Sequence, residues 1–528
     1  MKSLLQHDGR WLAPWDHAAT WSRPGAVATV TSPPGQPARN EGFGFSLPDG
    51  GHPLAEPALS AALKQRAEEI AAAFALIEPV LRRLAPRQFD DGFSEQAHRE
   101  IANSLGVDIP AAELESSWST PLDLARIHAR CVLGTFRNLV EREFDRNLLA
   151  LVDEGESIEV LIRRFGFHAV DITACADGRL GGAVDFILRV PSAVVVWHDS
   201  YAGAMFEVED ALHRWEAVEL RRWREGWPND ASEPTRYLKI GLYHFSSVDP
   251  RHQGCAAHGS DEVRAATALL ERLQEFEGAV ESTHCCGAGV DTLLVGVDTD
   301  TDAIRVHVPD AAGGVDVDRF VSSATLYEQT ASHEREAAKE VIRQAVADCA
   351  GVDAADAATE GMRWLCGYLL KNNIGQVDAV RSWNGGSYVD PGHTEKLVVA
   401  GDAIDDLQLR NLAFQAQMRT LEEGAVDLDV GIAILRRTNA PHGLAVPVLV
   451  HVDYDERIPG ASASAQARAR RLAAAIEARY AGAAGPSGLV AQGFVRARGQ
   501  SRLELVEAEG DGPPSSLPPR ALPNGALR

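Results

Sequence analysis

From about residue 155 onward, short β-rich runs alternate with helical stretches, and this alternation constrains the fold more than any other feature. The β-rich runs read FHAVDITAC, SAVVVWH, YLKIGLYHF and TLLVGVDTDTDAIRVHV, and the helical stretches include residues 206–224 and 260–276. Alternating strands and helices predict an α/β sheet domain. In such sheets ligands gather where strands end and loops begin, so the strand ends are the places to look for chemistry.

The other segments differ in composition and in hydrophobic periodicity, and these differences divide the chain into five parts. Residues 1–57 are rich in proline and show no helical or strand period, so we expect a disordered arm. Residues 58–150 are expected to form an all-α domain, because apolar side chains recur three or four positions apart, with Pro79 kinking or interrupting the first helix. A sheet domain over 151–395 is followed by strand-like runs in 396–507 and by an expected flexible tail, 508–528. The predicted fold class is α/β with an all-α N-terminal domain.

Charge and hydropathy exclude several classes of protein. The 528 residues carry a formal net charge of −24, which argues against a nucleic-acid binder or a basic membrane-surface protein. No apolar run reaches the roughly 18 residues that span a bilayer, and the N-terminus lacks the apolar core of a signal peptide. We therefore expect a cytoplasmic protein with neither nucleic acid nor membrane as a partner.

Two of the seven cysteines stand just past strand-like runs. Seven is an odd and low count for 528 residues, so free or metal-binding thiols are expected rather than a disulfide framework. Cys175 follows AVDIT, and Cys255 follows LKIGLYHF, with His244, His252 and His258 near it. Two thiolates and one imidazole would bind zinc and leave a fourth position open for water, as in a catalytic site. The alternative is two buried thiols beside an unrelated histidine.

Asp177 and Arg179 favour the catalytic interpretation. In an extended segment, alternate residues point the same way, so Cys175, Asp177 and Arg179 would share one face. A bidentate pair with arginine would keep the aspartate ionised and off the metal. The aspartate could then accept a proton from a water whose pKa zinc lowers towards 7.

The motifs CADGR and HQGCAAHGSD resemble those of the β-class carbonic anhydrases, and the layout of the chain is similar to the carboxysomal branch of that class. The resemblance covers nearly the full chain and implies a β-carbonic-anhydrase-like sheet domain followed by a degenerate second copy. It implies zinc, reversible hydration of CO2 to bicarbonate, and a setting inside carboxysomes, where CO2 is supplied to Rubisco. It also implies His244 as the histidine ligand, although the spacing His252-x-x-Cys255 fits the commoner β-class pattern.

The same resemblance bears on a proton shuttle, on partners and on oligomeric state. His393, between the two sheet domains, is a candidate proton shuttle, and an ordinary interdomain hydrogen bond is an equal alternative. The N-terminal arm, with its three tryptophans, would bind Rubisco or the carboxysome shell or scaffold proteins. A homodimer or higher homo-oligomer is expected, because β-class domains pair.

A second copy of the sheet domain can be looked for inside the sequence. Aligning LYHFSSVDPRHQGC with LVHVDYDERIPGA sets His244 against His451 and Cys255 against Ala461. A looser alignment of DITACADGR with LVVAGDAID sets Cys175 against Gly401, Asp177 against Ala403 and Arg179 against Asp405. The copy would keep the strand and loop frame but lose the thiols and the Asp/Arg pair, which predicts one zinc per chain.

Two other functions compete with carbonic anhydrase activity. One is a catalytically silent scaffold protein of a microcompartment whose zinc is structural, and such a site needs neither Asp177 nor Arg179. The other is a zinc hydrolase with a different substrate, which would need a larger pocket with polar groups for specificity.

Overall fold

The structure is a computed structural model of the chain. It describes residues 6–7, 10–11, 51–115, 122–143, 166–190, 195–227, 235–283, 289–353, 361–384, 386–388, 395–404, 410, 412–482 and 488–506. Of the expected arm, 1–57, it describes only the two-residue strands β1 (Gln6–His7) and β2 (Arg10–Trp11), which pair antiparallel, and residues 51–57. The expected tail, 508–528, lies outside the described residues.

The N-terminal block is helical over its described length. Its helices are α1 (Pro57–Ala75), α2 (Ile77–Leu84), α3 (Phe93–Leu105), α4 (Ala111–Leu114) and α5 (Leu124–Glu143). The expected interruption near Pro79 falls at Leu76, between α1 and α2. Pro79 lies in the first turn of α2, where a residue without an amide hydrogen is tolerated. If α1 continued through this point, the proline ring would clash with the backbone carbonyl four residues earlier, so the helix is interrupted before it.

A six-stranded sheet follows. Its strands are β3 (Ala169–Cys175), β4 (Val195–Tyr201), β5 (Arg236–Phe245), β6 (Gly289–Asp298), β7 (Ile304–His307) and β8 (Val321–Ser322). Their order is β4-β3-β5-β6-β7-β8, with the first four strands parallel and β7 and β8 antiparallel. The accompanying helices are α6 (Val208–Arg224), α7 (Glu262–Thr283), α8 (Ser323–Thr330), α9 (Arg335–Ala350) and α10 (Gly361–Asn384).

A second, five-stranded sheet repeats this topology. Its strands are β9 (Leu397–Gly401), β10 (Ala413–Gln417), β11 (Val446–Tyr454), β12 (Leu489–Ala497) and β13 (Glu504–Val506), and its helices are α11 (Leu421–Asn439) and α12 (Ala461–Tyr480). The order β10-β9-β11-β12-β13 matches β4-β3-β5-β6-β7, with four parallel strands and an antiparallel last strand. The predicted fold class, a helical block followed by two α/β sheet domains, is confirmed.

The helical block and the second sheet share one hydrophobic core. Phe136 and Leu139 of α5 are buried in the same cluster as Val399, Leu449 and Phe494 from the sheet. The opposite face of the sheet packs against α11 and α12. Parallel strands need both faces covered, because their side chains are apolar on both sides, and the helical block provides the second cover. None of the described helices is both long and apolar enough to cross a membrane.

Candidate metal centre

Three side chains with metal-binding atoms meet at one edge of the first sheet. Cys175 is the last residue of β3, and His244 is the next-to-last residue of its parallel neighbour β5. Cys255 lies in the loop after β5, immediately before the short helix Ala256–His258. Because parallel strands end at the same edge of a sheet, the fold brings residues that are 69 and 80 positions apart from Cys175 into one place.

The spacing of these donors fits a tetrahedral metal ion. The two sulfur atoms are 3.8 Å apart, and the ligand atoms of all three residues lie within 4.8 Å of one another. Two thiolates bound to tetrahedral zinc at about 2.3 Å would be about 3.8 Å apart. All three side chains are buried, and neither cysteine is in a disulfide. Neither ring nitrogen of His244 has a hydrogen-bond partner. A buried imidazole without partners is costly unless something else binds it.

Backbone groups also stabilise one of the thiolates. The pKa of the Cys255 thiol is lowered, first by its hydrogen bond with Cys175 and then by the backbone N–H groups of Ala257 and His258, which together outweigh its burial. Hydrogen bonds donated to a sulfur favour its ionised form, which is the form that binds metals. The residues present therefore fit a zinc ion.

Asp177 and Arg179 form the expected bidentate pair beside these donors. Arg179 Nε donates to Asp177 Oδ1 at 2.9 Å and Nη2 donates to Oδ2 at 2.7 Å, while the Arg179 backbone N–H donates to Oδ1 at 2.9 Å. Asp177 Oδ2 lies 3.6 Å from His244 Nε2. Burial acts to raise the pKa of Asp177, but the charge and hydrogen bonds of Arg179 outweigh it and hold that pKa well below its usual range.

The local backbone differs from the extended segment that we expected. The strand ends at Cys175, Asp177 caps a 3-10 turn over Gly178–Leu180, and the side chains of Cys175, Asp177 and Arg179 therefore do not alternate along a strand. The prediction of an extended segment was wrong, because the aspartate binds the backbone N–H two residues on and closes a turn. The turn still directs the Asp/Arg pair towards His244.

The other candidate histidines have different positions. The His252 side chain is 77% exposed, and its Nδ1 lies 2.9 Å from Asp249 Oδ1, so it does not join the cysteines. His258 is buried but faces the carbonyl of Gly203 at 3.4 Å. His393 lies outside the described residues. Within the described part of the chain, the group of donors that could hold a metal consists of Cys175, His244 and Cys255.

A buried glutamate next to the Asp/Arg turn was missed by sequence reasoning. Glu395 Oε1 accepts a hydrogen bond from the Gly178 backbone N–H at 3.2 Å, across 217 residues of sequence. Burial, with the charge of Asp177 adding to it, raises the pKa of Glu395 to about 7. A single glutamate after a proline- and glycine-containing joint carries no sequence signal of this contact.

The second sheet lacks a comparable group of donors among its described residues. Nδ1 of His451 lies 2.8 Å from the Asp402 carbonyl oxygen, and its Nε2, although without a hydrogen bond, lies 3.0 Å from the carboxylate of Asp453. Gly401 has a φ of +108°, and a Cβ at this position would be 2.3 Å from the His451 carbonyl oxygen. The end of β9 therefore has no room for a cysteine side chain.

Strand pairing also corrects the alignment of the two copies. Ala174 pairs with Leu242, which places Ala176 level with His244, whereas Gly401 pairs directly with His451. Setting Cys175 against Gly401 and His244 against His451 at the same time is therefore out of register by one residue. A slip of one residue reverses the face on which a side chain lies, so these two correspondences cannot both hold.

Comparisons with known proteins give one consistent family. Three family models match, described as the N-terminal, catalytic and C-terminal domains of carboxysome shell carbonic anhydrase, over residues 52–144, 157–393 and 394–509. The chain is 40% identical over 435 residues to a carboxysome shell carbonic anhydrase of Halothiobacillus neapolitanus, covering 81% of this chain and 84% of that protein. A protein of the same name from Parasynechococcus marenigrum is 42% identical over 436 residues, covering 81% and 74%.

Proposed function

The chain belongs to the carboxysome shell carbonic anhydrase family and is a carbonic anhydrase, and from this premise we propose that it hydrates CO2 reversibly at Cys175, His244 and Cys255 with zinc as the metal. The observation that carries the proposal is the buried group of three donors in which neither nitrogen of His244 has a hydrogen-bond partner. Two thiolates and one imidazole fill three positions of a tetrahedral zinc ion and leave one for water. When bound, zinc would supply the Lewis acidity that lowers the pKa of a water molecule towards 7.

Asp177 is proposed to orient that water and receive its proton. Arg179 holds both carboxylate oxygens, so the aspartate stays ionised and is kept from binding the metal itself. Because the pKa of Asp177 is lowered, the carboxylate holds a proton only briefly and passes it on. His393 is proposed as the group that moves the proton onward, as the family resemblance implies.

The names of the relatives place them in the carboxysome shell, and we propose the same setting for this protein. There the enzyme would dehydrate bicarbonate and supply CO2 to Rubisco. We propose that the arm, residues 1–57, tethers the enzyme to Rubisco or to shell or scaffold proteins, and that the enzyme is a homodimer or a higher homo-oligomer.

A catalytically silent scaffold with structural zinc is the competing function. A structural site is closed by four protein ligands, whereas the described residues here provide three. A structural site also has no need of the carboxylate that Arg179 holds 3.6 Å from the imidazole. These features support the catalytic function over the structural one.

Zinc content and the rate of CO2 hydration, measured on the same preparations, test the proposal. We expect about one zinc per chain and rapid hydration in a stopped-flow indicator assay. Cys175→Ser should lose both, because a serine hydroxyl is a poor zinc ligand. Cys349→Ser is the matched control, since Cys349 is a free cysteine outside the donor group and should retain both. Undiminished hydration by Cys175→Ser would contradict the proposal.

A further inference from the structure

The backbone of the Asp/Arg turn is held by residues of the second sheet domain. The Gln415 N–H donates to the carbonyl oxygen of Ala176 at 3.1 Å, and the Glu395 carboxyl accepts from the N–H of Gly178 at 3.2 Å. Arg410 Nη1 donates to the carbonyl oxygen of Arg179 at 2.9 Å. Three of the four peptide units around Asp177 thus have their partner within residues 394–509, the match of the C-terminal family model, whose described part holds no group of metal donors.

Arg410 also contacts Thr299, a residue that accepts a hydrogen bond from the Arg179 side chain. Arg179 Nη1 donates to Thr299 Oγ1 at 3.1 Å, and Arg410 Nη2 donates to the carbonyl oxygen of the same Thr299 at 2.6 Å. Arg410 therefore holds Arg179 twice, directly at its carbonyl oxygen and indirectly through Thr299. These contacts hold the position from which the guanidinium of Arg179 donates its two hydrogen bonds to Asp177.

The Arg410 side chain is itself fixed. It forms an ion pair with Asp302 and lies over the ring of Tyr388, with its guanidinium carbon 3.9 Å from the ring centroid. Asp302 accepts further hydrogen bonds from the Tyr388 hydroxyl at 3.1 Å and from Gln376 Nε2 at 2.9 Å. The ion pair and the aromatic ring together hold the guanidinium of Arg410 in one position. An arginine held in this way can keep a neighbouring residue within a narrow range of positions.

We infer that Arg410 is a positioning residue for CO2 hydration, which acts by holding Arg179 and thereby the carboxylate of Asp177 beside the metal donors. The inference rests on the proposed roles of Asp177 and Arg179. It gives the second sheet domain a function, because this domain supports the turn of Asp177 and Arg179 in the first sheet domain.

A merely structural contact between domains is the alternative, and a double-mutant cycle separates the two. Arg410→Ala should lower kcat by about 10- to 100-fold with zinc per chain unchanged, since a small displacement of a catalytic group costs that much. In the Arg179→Ala background, the same substitution should lower kcat by a clearly smaller factor, because the Arg179 side chain is gone and only the contact of Arg410 with the backbone carbonyl oxygen at position 179 remains. Arg410→Lys should recover part of the loss.

Arg457→Ala is the matched control. Arg457 belongs to the same domain and forms a bidentate pair with Asp455, but its side chain is 89% exposed, so kcat should stay at the wild-type value. If Arg410→Ala yields no folded protein, Arg410→Lys is carried through the same cycle. The inference is overturned if the Arg410 variant has wild-type kcat, or if its loss multiplies with that of Arg179→Ala. Full activity of Arg179→Ala alone would instead overturn the proposed role of the pair.

Discussion

At the residue scale, the Asp177–Arg179 pair has a nearly identical counterpart in the same chain. Arg457 donates to Asp455 through the same three nitrogens, at 2.9, 2.9 and 2.7 Å, as Arg179 does to Asp177. The pairing is thus a local property of an Asp-x-Arg turn. What distinguishes Asp177 is its burial beside His244, which places the carboxylate where a metal-bound ligand would be.

This difference predicts the effect of removing each carboxylate charge. Asp177→Asn should retain zinc, because Asp177 is not among the donors, and should lower kcat by about 100-fold or more, because the proton acceptor is lost. Asp455→Asn, which alters the exposed pair of the same geometry, should keep the wild-type kcat. Metal analysis and stopped-flow hydration measure both. A zinc-loaded Asp177→Asn enzyme with the wild-type rate would refute a role of this carboxylate in catalysis.

Glu395 predicts a pH-dependent stability. Its pKa is about 7 in the folded chain against an ordinary 4.5, so between these values the folded state binds more protons than the unfolded state. The stability contributed by the neutral carboxyl is full below about pH 4.5 and is lost as the pH rises through 7. The Tm of the wild type should therefore fall more between pH 5 and pH 8 than that of Glu395→Gln.

The glutamine variant is a close control, because its side-chain oxygen can still accept from the Gly178 N–H while the titrating proton is gone. Thermal unfolding of both proteins at the two pH values provides the comparison. Equal falls in Tm would show that Glu395 is ionised throughout this range.

At the element scale, the ends of β3 and β9 explain why the two sheets differ in function. Cys175 ends β3 as one of the three donors, whereas the residue level with it in β9, counted from the paired histidines, is Ala400. Gly401 ends β9 at positive φ, with the His451 carbonyl oxygen where a Cβ would be. Both sheets keep the same arrangement of strands. At Gly401, however, the backbone of β9 lies too close to the neighbouring strand β11 for a side chain to fit.

Gly401→Ala should therefore destabilise the protein by about 2 kcal/mol or more, because it adds both strain at positive φ and a steric clash. Gly482→Ala is the matched control in the same domain, since a Cβ there meets nothing within 4 Å. The Tm of each variant measures the effect. Equal Tm values for the two variants would mean that the strand end can relax at no cost.

Most of the site could be predicted at this scale, and the exceptions have a physical cause. Cys175 and Cys255 follow strand-like runs, so the sequence pattern predicted that they meet at one sheet edge, while the choice of His244 over His252 came from the family resemblance. The turn at Asp177 was not foreseen, because a side chain-to-backbone bond ended the strand early. Glu395 and Thr299 could not be found, since their contacts with the turn cross 217 and 120 residues of sequence.

At the whole-molecule scale, the helical block and the two sheet domains pack against one another and are not independent domains joined in series. The helical block covers one face of the second sheet, and the second sheet domain holds the Asp/Arg turn of the first. The sequence predicted the helical block and the two sheets from their periodicity. It could not predict that α5 packs on the second sheet rather than the first, because apolar helix faces do not specify their partner.

The arm carries the remaining prediction at this scale. The described residues of the shared cores all lie beyond residue 50, so deleting residues 1–50 should leave CO2 hydration unchanged while packaging into carboxysomes is lost. Replacing Trp11, Trp15 and Trp21 with alanine tests whether these side chains are the contact. The packaging of both variants can be measured by quantifying the enzyme in purified carboxysomes. Equal packaging of the truncated and full-length proteins would exclude the arm as a tether.

The central claim is that a zinc ion is bound by a thiolate from the end of β3, an imidazole from β5 and a thiolate from the following loop. X-ray absorption at the zinc edge of the active, full-length protein tests it most directly. The account predicts about one zinc per chain, with two sulfur ligands at about 2.3 Å and two nitrogen or oxygen ligands at about 2.0–2.2 Å. A zinc ion bound by four sulfur atoms, or by none, would contradict it.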